Sequence, residues 1–344
     1  MLPHKRIASV VATGAVITLT LAGCGSGSGS GSGSGEGGGG GDTQVFRVAF
    51  NQNESHPQAQ AILELSDKLE EETDGRYRLE LFPDGTLGAQ EATIEQVQSG
   101  TIDFAFVAGS LLESLEPDFS VVNLPYVYES PEHQLEVLND QEIVGELYDS
   151  LSQDNIEVLA AYHGGVRNVY TDKPVETPDD LAGLKIRVIG SDTNVRMMEL
   201  MGGVGTPMAQ DEVYTAIQSG VIDGGENNEL IYSSLSHDEI APYYSYTEHL
   251  MMPDYLIASP STWNSLDDET KEIFEELLAE SIDTELAAFG DAVETAKADA
   301  EEAGATFVEA DADAFREAVL PLHEELVTTE RQQEIYDAIE AARS

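Results

Sequence analysis

Residues 45–82, VFRVAFNQNESHPQAQAILELSDKLEEETDGRYRLELF, carry two structural periods in one short stretch. Val45 to Phe50 is a short apolar run. From Pro57 to about Glu72, Ala61, Leu65 and Leu69 recur every four residues, the spacing of one helix face, and the pattern stops near Gly75. Tyr77 to Phe82 alternates as a strand does. Further along, Leu87 to Gly100 reads as a helix and Asp103 to Val107 as a buried strand. This β-α-β-α-β order predicts an α/β lobe with a largely parallel sheet. A second unit begins near residue 160. There Leu184 to Val188 alternates, so Lys185 and Arg187 share a face, and helices are predicted from about Thr193 to Met201 and from Gln210 to Ser219. A helical region from roughly Asp267 to Ala303 exceeds the usual globular length. It is either broken near Gly290 or runs across both lobes.

Ahead of this folded part lies an export signal. His4, Lys5 and Arg6 precede an apolar stretch, Ile7 to Leu21, which ends in Leu21-Ala22-Gly23-Cys24. A basic start, an apolar middle and a small-residue exit define a secretory signal. The apolar part is short of the roughly 20 residues a spanning helix needs. The tetrad resembles the bacterial lipobox, which implies a diacylated Cys24. Cys24 is also the only cysteine, so no disulfide, zinc cluster or cysteine nucleophile is built downstream. The Gly/Ser run from Gly25 to Gly41 cannot bury apolar surface and reads as a flexible tether. Residues 1–23 are therefore expected to be signal and 24–42 lipidated cysteine plus linker, placing the protein outside the cytoplasmic membrane, anchored to its outer face.

With 65 acidic against 16 basic side chains, the formal net charge is −49. The acids are spread along the chain rather than gathered in a tail. Nucleic acid is excluded as a partner, because phosphate binding needs a basic surface. A dispersed acidic surface is a pattern halophiles use. Against this background, Arg167, Lys173, Lys185, Arg187 and Arg196 fall within one locally neutral window. That contrast marks a place for an anion, and arginine's planar fork suits a carboxylate. The alternative is a set of ordinary surface ion pairs.

One ordered series of motifs decides between these. It runs Gly165-Val166-Arg167, Thr177-Pro178-Asp179-Asp180-Leu181-Ala182-Gly183-Leu184-Lys185-Ile186-Arg187-Val188, Thr206-Pro207-Met208, Glu212-Val213-Tyr214, Ala216 to Gly224 and Glu226-Asn227-Asn228. The earlier half adds His56-Pro57, Phe82-Pro83, Leu87-Gly88, Ile94 to Val97 and Asn123-Leu124-Pro125-Tyr126. Over residues 45 to 330 the chain closely resembles the extracytoplasmic solute-binding proteins of TRAP transporters, the DctP family.

The resemblance implies a two-lobed α/β periplasmic-binding-protein-like fold whose cleft closes on a small organic anion. Lobe I would comprise residues 43–164 with 252–292 returning to it. Lobe II would comprise 165–251 with 293–344 packing on it. It implies that Arg187 forms a two-pronged salt bridge to a ligand carboxylate, that Arg167 adds a second contact, and that Asn227 hydrogen-bonds across the cleft. Glu226 either accepts from ligand hydroxyls or orients an arginine. Asn51 and His56 follow the first strand, where open α/β sheets place ligands, though His56 also suits a turn before Pro57. Tyr214 is a candidate to pack on the cleft, with the core as alternative. Gln90 stands where many relatives have glutamate. Asn228 and Thr247-Glu248-His249 resemble members that take sugar acids. Hexuronates lead as ligand, with dicarboxylates and keto acids behind, and a TRAP permease is the implied partner. No cofactor or metal is implied. Neither a His-Glu-x-x-His, a Gly-x-Ser-x-Gly nor a Walker loop is present, so an enzyme is the weaker class.

Overall fold

The computed structural model describes residues 43–343. The expected signal segment, lipidated Cys24 and Gly/Ser tether lie outside the described residues. The strands are β1 (Gln44–Ala49), β2 (Tyr77–Phe82), β3 (Phe104–Ala108), β4 (Glu157–Thr171), β5 (Lys185–Val188), β6 (Val204–Pro207), β7 (Gly224–Asn227), β8 (Tyr243–Ala258) and β9 (Thr306–Glu309). They form one sheet in the order β2-β1-β3-β8-β4-β7-β5-β6, with β9 on β8.

The alternation read at residues 45–82 holds. Phe46 and Val48 are buried while Val45 and Arg47 face out. Helix Pro57–Glu72 packs Ile62, Leu65 and Leu69 into the same core as Phe46, Phe104, Phe106 and Phe274. His56 caps this helix through its side chain and Pro57 occupies its first turn, where a missing N–H costs nothing.

The parallel pairing expected of the first β-α-β-α-β unit holds for β2-β1-β3, and the sheet as a whole is mixed. β1 is parallel to β2 and β3, and β5 is parallel to β6 and β7. The two parallel groups are joined by the long antiparallel pair β4 and β8. β8 pairs with β3 through Asp254–Ala258 at one end and with β9 through Tyr243–Tyr246 at the other. β4 likewise pairs with β7 through Asn168–Thr171. These two strands therefore belong to both lobes. Their register slips between His163 and Val166 and again between Arg167 and Val169. Gly165 sits in that slip at φ +85°, and a Cβ there would lie 2.5 Å from Asn228 Nδ2, so both backbone and space require glycine.

Helix Asp268–Ala303 is continuous through Gly290. Its first part packs on the Pro57–Glu72 helix and its last part reaches the helix Glu229–Ser234, which fits the lobe-crossing alternative. The expectation that residues 293–344 pack on lobe II needs correction for the final helix, Glu330–Ala341. That helix sits on lobe I elements: Arg331 pairs with Glu116 and Asp118, and Gln332 Nε2 donates to Ser120 Oγ at 3.2 Å. His133 Nε2 lies 3.0 Å from the Ile339 carbonyl. Buried Ile335 and Ile339 supply the apolar side of the contact. No described helix is long and apolar enough to cross a membrane.

Candidate functional site

Arg167 and Arg187 are brought together at one cavity of about 270 Å³, between the β1–β3 side and the β5–β7 side of the sheet. Both guanidinium groups are buried, at 4% and 3% exposure. A buried charge needs partners, and the two find them differently.

Arg167, on β4, has four of its five N–H groups paired within the protein. Its Nε donates to Glu226 Oε2 at 2.5 Å and one terminal nitrogen to Glu226 Oε1 at 2.8 Å, a two-pronged pair. That nitrogen also reaches the Glu226 carbonyl at 2.8 Å, and the other donates to Asn227 Oδ1 at 3.0 Å. Burial alone would push the Glu226 carboxyl up, but Arg167 and the neighbouring His249 outweigh it and hold it at about 2. Glu226 thus orients Arg167; it does not line the cavity.

Arg187 is anchored at one point. Its Nε donates to the Met208 carbonyl at 2.9 Å. Among the described residues its two terminal nitrogens make no hydrogen bond and no ion pair, and the side chain lines the cavity. Burial lowers its pKa, and Glu226 pulls the other way. Lys185 and Arg187 are two apart in β5 and share its face, but Lys185 is exposed where Arg187 is buried. Arg196 meets the ordinary fate of a surface cation, pairing with Glu199 and Glu325.

The polar candidates divide in the same way. Asn227 Oδ1 is used by Arg167 and by the Asn228 amide at 2.9 Å, which leaves its Nδ2 as a donor at the cavity. Asn228 lines the cavity but is spent on structure. It caps a helix through Ile231 N at 3.0 Å and holds the Gly164 carbonyl at 2.8 Å. His56 Nδ1 accepts from Gln58 N at 3.3 Å, so its proton sits on Nε2. Burial lowers its pKa to about 4, which keeps the ring neutral at ordinary pH. Cap and cavity wall are therefore one residue. Asn51 lines the cavity and makes no side-chain hydrogen bond among the described residues. Gln90 Oε1 accepts from Ala108 N at 3.4 Å, turning its Nε2 outward as a donor where a glutamate offers only acceptors.

Tyr214 requires a correction. Its hydroxyl donates to Glu239 at 3.2 Å outside the cavity, because the short helix Val213–Gln218 buries Val213 and Ala216 instead. Sequence reasoning also missed several wall residues. Asp254 arrives from β8 and accepts from Gln58 Nε2 at 3.0 Å, while Glu91, Gln52 and Gln210 complete the rim. Asp254 carries no local signal, since only the β4–β8 register brings it beside Arg167.

A two-sided sheet with shared crossing strands, enclosing a buried and uncommitted guanidinium ringed by amide donors, defines a protein that holds a small anion. The chain belongs to the bacterial extracellular solute-binding proteins, family 7, whose model matches residues 48–330. It is 36% identical over 275 residues to a solute-binding protein of Chromohalobacter salexigens, covering 79% of this chain and 82% of that one. Among solved structures, it superposes with a TM-score of 0.84 on a TRAP periplasmic solute-binding protein of Anaerococcus prevotii with bound D-glucuronate. The identity there is 36%, and the match covers 87% of this chain and 98% of that one. The corresponding Xanthobacter autotrophicus protein, with bound β-D-galacturonate, gives 0.82 at 32% identity, covering 87% and 100%.

Proposed function

We propose that this protein captures a hexuronate or closely related sugar acid outside the cytoplasm and delivers it to a TRAP-type membrane permease. The observation that carries the reading is Arg187: a buried guanidinium held by Nε alone, with both terminal nitrogens turned to the cavity. A carboxylate supplies the missing two-pronged partner, and desolvation makes that charge-assisted pair strong. Arg167 and Asn227 add donors beside it. Asp254 and Glu91 are acceptors suited to sugar hydroxyls, and the cavity's 270 Å³ suits a single ring. Family membership and the uronate-bound relatives support the same ligand class.

The mechanism is closure: the lobes rotate about the register slips of β4 and β8 and shut on the acid. The protein binds and releases; it does not convert. Cys24, lipidated, would tether the acidic domain through its Gly/Ser linker to the outer face of the membrane, near the permease.

Calorimetry with D-glucuronate, D-galacturonate, D-glucose and succinate tests the assignment. The uronates are expected to bind and neutral glucose is not, with succinate weak. Arg187→Ala should abolish uronate binding while the melting temperature of the free protein holds, and Arg187→Lys should weaken it at least tenfold, because lysine cannot fork. Wild-type affinity in Arg187→Ala would overturn the site.

A further inference from the structure

The cavity's two rims are joined by a contact that the carboxylate chemistry does not use. Gln52 lies in the loop after β1, and Gln210 in the turn after β6, 158 positions away. Gln52 Nε2 donates to Gln210 Oε1 at 3.3 Å, and Gln210 Nε2 donates back to Gln52 Oε1 at 2.8 Å. Gln52 is only 9% exposed, and both residues line the cavity. We infer that this reciprocal amide pair is a latch that holds the lobes shut over the bound acid and sets how long the acid stays.

Three observations carry the inference. First, the pair is placed by the same loops that place the site. Gln52 follows Asn51 directly, and Gln210 stands two residues past Met208, whose carbonyl anchors Arg187 Nε at 2.9 Å. Second, Gln52 is held from behind: its carbonyl accepts the Asp84 amide at 2.8 Å. The backbone that carries the side chain is thereby fixed. Third, the surrounding charge calls for a neutral link. Asp84 on one rim and Asp211 on the other are exposed carboxylates that also line the cavity, so the rims repel. A carboxylate at either latch position would add to that repulsion. Two amides donate and accept at once with no charge.

A pair that forms as the lobes meet acts on release more than on capture, as most contacts of this kind do. Two neutral hydrogen bonds, part-shielded from water, correspond to roughly tenfold in rate.

The latch rests on the uronate reading, and one experiment separates the two. Rapid-mixing kinetics of D-glucuronate and D-galacturonate are measured on the wild type, Gln52→Ala, Gln210→Ala and the double variant. Each single variant is expected to release the acid about tenfold faster with association changed less than about twofold, and the double variant to match either single, since the same two bonds are already gone. The melting temperature of the free protein should stay at the wild-type value, which a merely structural role would not allow. Gln210→Glu should release fastest at low salt and recover as salt screens the rims. Release rates in both single variants equal to wild type overturn the latch and leave the uronate reading standing. A wild type that binds neither acid overturns that reading and the latch with it.

Discussion

Arg167 and Arg187 are the same residue type, equally buried, and perform different tasks because of one glutamate. Glu226 holds Arg167 in place, while the terminal nitrogens of Arg187 have no partner among the described residues. Removing the charge of Glu226 should therefore damage both fold and site. Glu226→Gln leaves a buried guanidinium without its counter-charge and is expected to cost about 3–5 kcal/mol in urea unfolding at pH 7, with weaker uronate binding. The carboxyl's folded value of about 2 lies below its unfolded value, so its contribution is present above about pH 4.3 and fades as pH falls toward 2. The variant should lack that acid limb. A stability within about 0.5 kcal/mol of wild type would show the pair to be replaceable.

At the scale of elements, the helix Asp268–Ala303 hides one acid among many. Glu285 is fully buried, and burial pushes its carboxyl well above the usual range, with a backbone contact to His163 pulling the other way and Asp254 adding to the rise. The folded state thus keeps a proton that the unfolded chain releases. Wild-type stability should fall as pH rises above about 4.3, the unfolded carboxyl value. Glu285→Gln, neutral in both states, should lose that slope, so that the two stability curves meet near pH 4 and diverge toward pH 8. Parallel curves from thermal melts across that range would remove Glu285 as the cause. Gly290 in the same helix illustrates the limits of breaker rules. A helical glycine costs about 1 kcal/mol against alanine, and packing at both ends of this helix exceeds that.

For the whole molecule the dominant quantity is the charge of −49. Few of the acids are paired: the described ion pairs are mostly exposed and draw on the same few cations. Self-repulsion should therefore weaken the fold at low ionic strength. The screening length shrinks from about 10 Å at 0.1 M to about 3 Å at 1 M salt. Melting temperature is expected to climb steadily from 0.05 M to 2 M KCl, and the affinity for an anionic ligand should not fall with it. A flat or falling melting curve would argue against salt adaptation.

The sequence by itself determined the elements and the family. Period two at 77–82, period four at 61–69 and the ordered motifs around Arg187 are local patterns, and local patterns survive in one dimension. The cavity arginines, Asn227 and the neutral cap His56 were legible because they sit inside those motifs. Other features became visible only in the tertiary structure. The antiparallel β4–β8 pair joined two parallel groups into one mixed sheet and carried Asp254 to the cavity. The final helix crossed back to lobe I through Arg331 and Ile335. Tyr214 turned away, and Gln52 met Gln210. Each of these depends on contacts between residues far apart in the chain, and a neutral amide or a buried acid looks the same in sequence as a solvated one. The family resemblance already singled out Arg187 for the carboxylate; the tertiary structure added a physical reason, Glu226 resting on Arg167 and not on Arg187.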